Sequence, residues 1–167
     1  MLSTDHVVHE LYGTWGLRDA VSERFGASVA PGGVVDRGAL AEQAFATPED
    51  RTWLEDLLWP RVRARMSSWR TQTERCSPRP RAAVVEVPLL FEGGMDGAFD
   101  ATIAILAGPQ VTARRAGARG HQALEQRSAR QLPQEEKAAR ATYVVANDGT
   151  VDELEAKLSA VLDMLEA

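Results

Sequence analysis

The run Val84-Val85-Glu86-Val87-Pro88-Leu89-Leu90-Phe91-Glu92 sets a carboxylate at the end of a β-branched apolar stretch. A proline that ends strand pairing follows, and then a second carboxylate after an apolar turn. A charge at the end of an apolar strand needs water or a partner, and in nucleotide-handling proteins that partner is commonly hydrated magnesium. Glu86 therefore either faces solvent or serves such an ion. Further along, Arg115 and Arg119 are four residues apart and, on a helix, share one face. From there two guanidinium forks can grip the oxygens of one phosphate chain. Arg127 and Gln131 repeat that spacing. Between Arg114 and Arg140 seven basic residues stand against three acidic ones, a local balance of +4 in a chain of net charge −5. Such a segment suits a compact anion such as a nucleotide phosphate, or else a solvated helix face. All but two of the 19 basic residues are arginine, so a single arginine carries less meaning here than usual.

These residues need elements to hold them. Residues 5–75 read as almost wholly helical: Val7, Val8 and Leu11 form an apolar stripe, and Asp36 can cap a helix over 38–45. Further helices are expected over 49–58 and 60–71, divided by Pro60. Pro78 and Pro80 mark a linker-like stretch over 76–81, after which the period changes. Residues 82–87, 101–106 and 143–146 are short apolar runs with the look of buried strands, separated by helical patterns over 109–118, 123–131, 134–139 and 151–165. Strands alternating with helices indicate an α/β fold with a parallel sheet, whose ligands gather beyond the carboxyl ends of the strands. That rule singles out Glu86, Pro88 and Asn147.

A chain of 167 residues with 44% hydrophobic and 26% charged residues has the proportions of one ordinary globular domain. The apolar runs are far shorter than the roughly 20 residues of a membrane span, and no basic-then-apolar start marks a secretory signal, so a cytoplasmic location is expected. The acidic balance argues against a general nucleic-acid or membrane-surface binder. The single cysteine, Cys76, allows no internal disulfide, and His6, His9 and His121 show no metal-ligand spacing with a third donor. Trp15, Trp53 and Trp69 are read as packing residues.

Taken in order, these segments resemble the dephospho-CoA kinase family. The resemblance runs through Leu2-Ser3-Thr4-Asp5, Phe25-Gly26, Val35-Asp36-Arg37-Gly38-Ala39-Leu40-Ala41, Phe45, Leu54-Glu55, Pro60 and Glu86 to Glu92. It continues through Arg115 and Arg119, Arg127 and Gln131, Lys137, and Asn147-Asp148-Gly149. It implies a P-loop NTPase-like parallel sheet flanked by helices in a single domain over 1–167, with a helical substrate-binding part about 5–75 and a lid about 109–140. It also implies ATP and Mg2+ as cofactors, ATP and dephospho-CoA as partners with no nucleic acid, membrane or protein partner, and phosphoryl transfer to the ribose 3′-hydroxyl of dephospho-CoA, the last step of coenzyme A biosynthesis. The catalytic candidates it implies are Asp5, at the position of the second acid of the family's Asp-x-Asp signature, and Arg119. For ATP it implies Arg115, Arg127, Gln131, Asn147 and Gly149, and for dephospho-CoA Arg37, Glu86, Pro88, Leu89 and Glu92. Glu86 is also a candidate outer partner of Mg2+. Ser3 stands where the first acid would be, and Trp59-Pro60 where the family often shows His-Pro. Asp5 can instead be a helix cap, Arg37 first-turn surface, Phe45 and Leu54 core, and Asn147-Asp148-Gly149 a plain turn.

One element of such kinases is missing from the sequence. No Gly-x-x-x-x-Gly-Lys-Ser/Thr occurs, and neither Lys137 nor Lys157 follows a glycine. The family places this loop, with its strand and helix, ahead of the segment matching Leu2 to Asp5. The expectation is therefore a chain lacking that first unit, through a start site set too far downstream or a shortened gene, and poor at transfer as it stands. The alternative is a relative that binds CoA-like or adenine ligands without transferring phosphate.

Overall fold

The computed structural model describes residues 1–117 and 131–166. The chain forms two compact units, Met1–Pro88 and Leu89–Ala167.

In the first unit a two-residue strand, β1 (Leu2–Ser3), leads into helix α1 (Thr4–Tyr12), followed by α2 (Trp15–Phe25), α3 (Arg37–Ala44) and α4 (Pro48–Glu74). Strand β2 (Val85–Glu86) returns to pair with β1 in parallel. Each helix buries a stripe one or two turns long: Val7 in α1, Leu17 and Val21 in α2, Leu40 and Ala44 in α3, Leu54 and Val62 in α4. Val21, Val29, Val35, Leu40, Ala44 and Leu54 form one core, with Tyr12, Phe25, Trp53, Leu57 and Leu58 packed around it. Asp36 caps α3 as its sequence suggests, Oδ1 accepting from the Gly38 and Ala39 N–H groups. Gly26, at φ 87°, ends α2 in a conformation that a side chain would resist. Thr47 caps α4 from the position before Pro48.

Two expectations are corrected in this unit. The helices expected over 49–58 and 60–71 are one helix, α4, which runs through Pro60. The proline removes one backbone donor, but Leu54 and Val62 anchor both sides to buried positions, and the Arg61 guanidinium donates to the Leu57 carbonyl beside the gap at 2.5 Å. Trp15 is not a packing residue: it is 74% exposed, with the Arg18 guanidinium 4.0 Å above its ring. Trp53 does pack, edge-on against Phe25.

In the second unit β3 (Ile103–Leu106) pairs in parallel with β4 (Tyr143–Ala146). Around them lie α5 (Pro109–Gly117), α6 (Gln134–Arg140) and α7 (Val151–Glu166). The register is pinned before the strands begin: Thr102 N–H donates to Thr142 Oγ1 and Thr142 N–H to Thr102 Oγ1, both at 3.0 Å. It is pinned again after they end, where Asn147 N–H donates to the Leu106 carbonyl at 2.7 Å. Ala104, Val145, Val161 and Phe91 are buried in this unit. Among the described residues no helix is long and apolar enough to cross a membrane.

Candidate functional site

In the first unit Leu2 lies opposite Val85 and Ser3 opposite Glu86, so both strands end side by side. Thr4, 5% exposed, donates through Oγ1 to the Glu86 carbonyl at 3.0 Å and fixes the start of α1 to the end of β2. This puts Asp5, in the first turn of α1, and Glu86 at the same carboxyl end of one parallel pair. Ser3 occupies the cap position of α1, so Asp5 is not the helix cap. Both carboxylates are exposed, and among the described residues neither has a hydrogen-bond or ion-pair partner.

Two free carboxylates at one strand end suit a magnesium ion that keeps most of its waters and takes its other ligands from substrate phosphates. Among the described residues no group of three or more His, Cys, Asp or Glu side chains is arranged to hold a metal without such help. Arg37 is the first residue of α3 and exposed. Its charge acts on the nearby Tyr12 phenol, which burial pushes above its ordinary value while Arg37 draws it down. Leu54 is core and Phe45 is 43% exposed at the end of α3. Pro88, exposed, closes the unit.

In the second unit the carboxyl ends of β3 and β4 are joined by their own hydrogen bonds. Asp148 Oδ1 accepts from the Gly108 N–H at 2.6 Å, and Gln134 Oε1 from the Ala107 N–H at 3.1 Å. The Lys157 ammonium donates to the Ala146 carbonyl at 2.7 Å. Thr150 and Glu153 form a reciprocal cap at the start of α7, with N–H to side-chain distances of 3.1 and 3.2 Å. Arg115, whose spacing suggests a phosphate ligand, donates instead to the carbonyls of Asn147 at 2.8 Å and Gly149 at 3.3 Å. Three of the residues expected to serve ATP, Arg115, Asn147 and Gly149, are thus brought together. The Asn147 carboxamide has no hydrogen-bond partner among the described residues. Arg119 and Arg127 lie outside the described residues, and Gln131 is exposed just after them.

Leu89 is half-buried in the turn that opens this unit. Glu92 is held within the unit: Oε1 accepts from the Leu132 N–H at 2.8 Å and pairs with the Lys137 ammonium at 2.9 Å, while Oε2 is buried without a partner among the described residues. Burial pushes the Glu92 carboxyl up, but the Lys137 and Leu132 hydrogen bonds outweigh it and hold it below its ordinary value. Beside it Arg140 pairs with Asp96 and lies 5.1 Å from the centre of the Phe91 ring.

Gln134 and Lys157 are functional groups that reading the sequence for ligand chemistry misses, and Lys137 and Asp148 are part of the resemblance but receive no role from it. Only Lys157 has a local signal, one turn beyond the Thr150–Glu153 cap. The others act on residues 27 to 45 positions away, and nothing in their neighbourhood announces it.

The family model described as dephospho-CoA kinase matches residues 5–153. A dephospho-CoA kinase of Deinococcus radiodurans is 39% identical over 141 residues, which are 83% of this chain and 67% of that protein. One of Thermus thermophilus is 38% identical over 134 residues, 78% of this chain and 64% of that protein. The matched region thus spans about two thirds of the length of these curated relatives. A crystal structure of a Thermus thermophilus protein superposes with a TM-score of 0.69 at 33% identity, covering 98% of this chain and 83% of the other. A dephospho-CoA kinase from Campylobacter jejuni, 23% identical, shares the fold at a TM-score of 0.67 over the same fractions.

Proposed function

This chain belongs to the dephospho-CoA kinase family, and from that premise we propose that it serves the ATP-dependent phosphorylation of the ribose 3′-hydroxyl of dephospho-CoA, in the cytoplasm, as the last step of coenzyme A biosynthesis. The observation that supports this reading is the pair of free carboxylates, Asp5 and Glu86, at one parallel strand end. Asp5 takes the proton of the 3′-hydroxyl as the oxygen bonds to the γ-phosphorus of ATP and the bond to the β-phosphate bridge breaks, giving 3′-phosphorylated product and ADP. Glu86 would help to hold a hydrated Mg2+ beside the ATP phosphates, and the ion would supply charge neutralisation where negative charge collects. Arg119 and Arg127 supply cations to the phosphate chain, Gln131 serves ATP with them, and Asn147 and Gly149 receive the adenine. Arg37, Glu86 and Pro88, all in the first unit, contribute to receiving dephospho-CoA.

A second reading has one observation in its favour: the sequence contains no Gly-x-x-x-x-Gly-Lys-Ser/Thr, the loop that cradles phosphates in P-loop kinases. On that reading the chain binds CoA-like or adenine ligands without transferring phosphate. Calorimetric titration with dephospho-CoA and with ATP, run beside a transfer assay on the same 167-residue protein, separates the two. Binding with slow transfer fits a kinase deprived of loop chemistry, binding with no transfer at all fits the second reading, and absence of both bindings overturns both.

A further inference from the structure

The strands β3 and β4 end on two turns, Ala107-Gly108 and Asn147-Asp148-Gly149, and α5 grips the second turn at two points. Gly108, immediately before α5, donates its N–H to Asp148 Oδ1 at 2.6 Å. Arg115, seven residues and so two helical turns further on, lies on the same face of α5 and reaches the same turn. Its Nη1 donates to the Asn147 carbonyl and its Nη2 to the Gly149 carbonyl, bracketing Asp148 from both sides. A planar fork sets two separate nitrogens on two carbonyls held two residues apart in one fixed geometry, whereas an ammonium presents all its donors from a single atom. With Asn147 N–H on Leu106, Lys157 on the Ala146 carbonyl, and Thr150 N–H on Glu153, the backbone from 146 to 150 is largely satisfied within the protein. Among the described residues the Asp148 N–H and C=O and the Gly149 N–H are left without a partner, and so is the Asn147 carboxamide, a side chain whose donor and acceptor side by side match an adenine edge.

We propose that Arg115 is a positioning residue for the base-binding turn and not a ligand of the phosphate chain: it holds Asn147 and Gly149 so that the Asn147 carboxamide meets the adenine in a fixed orientation. This rests on the reading of the site as an ATP site and assigns Arg115 a different part in it. A phosphate ligand contributes to ATP but nothing to adenosine, whereas a brace under the base contributes equally to both. The two roles therefore predict different ratios.

The experiment compares Arg115→Ala and Arg115→Lys with the unaltered 167-residue protein in titrations with adenosine and with ATP, followed by NMR, together with amide exchange of the ligand-free protein. Arg115→Ala is expected to weaken adenosine and ATP by the same factor, roughly tenfold. It should also speed exchange of the Gly108 and Asn147 amides by about as much while leaving the Thr102 and Thr142 amides at the opposite end unchanged. Arg115→Lys is expected to fall between the two. Loss confined to ATP, with adenosine unaffected, overturns the proposal and restores a phosphate role. Unaltered exchange at Gly108 and Asn147 overturns the brace whatever the ligands do. If the unaltered protein binds neither adenosine nor ATP, the kinase reading and the base-orienting role fall together, while the exchange data still decide whether Arg115 holds the turn.

Discussion

The two parallel strand pairs end in opposite ways. At the end of β1 and β2 one hydroxyl, that of Thr4, ties helix to strand, and the carboxylates of Asp5 and Glu86 are left to solvent. At the end of β3 and β4 the side chains of Arg115, Gln134 and Asp148 reach backbone groups of the two turns, and that of Lys157 reaches the last carbonyl of β4. The difference follows from what each end must do. An exposed carboxylate keeps its hydration at little cost, so it can wait for a proton or a cation without a protein partner. A turn that must present a carboxamide in one orientation needs its backbone fixed beforehand, because an unanchored turn would lose conformational freedom at the moment of binding.

The sharpest way to break this contrast is Asp5→Asn. In any form of the protein that transfers phosphate, the change is expected to lower turnover roughly a hundredfold or more, since it removes a proton acceptor at nearly constant size. Dephospho-CoA affinity and thermal stability should scarcely move, because Asp5 is exposed and without a partner among the described residues. A variant that kept full turnover would remove Asp5 from the chemistry. One that lost stability instead would show a structural role that the first turn of α1 does not reveal.

Glu92 carries the next largest effect, and it falls on stability. Glu92→Gln leaves Lys137, only 17% exposed, facing a neutral amide, and is expected to destabilise the protein by about 2 kcal/mol near neutral pH. Because the Glu92 carboxyl titrates below its ordinary value of 4.5 in the folded protein, its contribution is complete above that value and disappears as pH falls through the lowered one. Denaturant titrations of both proteins should therefore show a gap that is widest near pH 7 and narrows below 4.5. A gap constant across that range would mean that the charge on Glu92 is irrelevant to the pair.

Asp148→Ala tests the stitched end directly. It withdraws the acceptor of the Gly108 N–H and is expected to cost about 1 kcal/mol, while Asp148→Asn, which keeps an oxygen at that position, should retain most of the stability. Equal losses in the two variants would argue that charge, not the hydrogen bond, holds the turn.

Which parts of this were legible in the sequence follows from how far each signal reaches. The Asp36 cap, the strand over 143–146 and the helices near 134–139 and 151–165 are written within a few residues, and the structure has α3, β4, α6 and α7 there. The expected strand over 82–87 shrinks to Val85–Glu86, since β1 offers only Leu2 and Ser3 to pair with. The continuity of α4 through Pro60 is not legible, because what overrides the proline is burial on both sides of it. At the site, the rule that parallel strands gather ligand groups at their carboxyl ends picks out Glu86, whereas Asp5 comes from the resemblance alone, since a strand of only Leu2 and Ser3 leaves no pattern to read. The diversion of Arg115 to two carbonyls does not follow from its spacing, since helical geometry says which face a guanidinium occupies and nothing about the turn lying across from it.

The smallest expected effect is at Gly149, and its sign depends on a neighbour. Gly149 does not have a positive φ, so alanine is allowed by the backbone, yet a Cβ built there would collide with Glu153 Oε2. That carboxylate is the far end of a flexible side chain and can swing away, but doing so breaks its bond to the Thr150 N–H, half of the reciprocal cap of α7. Loss of that bond costs about 0.5–1 kcal/mol, and replacing glycine by alanine returns about 0.4–1 kcal/mol by restricting the unfolded chain. Gly149→Ala alone should therefore change stability by only a few tenths of a kcal/mol in either direction. In a Glu153→Ala background the collision is gone and only the unfolded-chain contribution remains, so the same substitution should stabilise by about 0.5 kcal/mol. A double-mutant cycle by thermal unfolding reads the difference. If Gly149→Ala destabilised both backgrounds equally, the cap would not be what glycine protects, and the close approach of the Arg115 guanidinium to the Gly149 carbonyl would be the constraint to examine in its place.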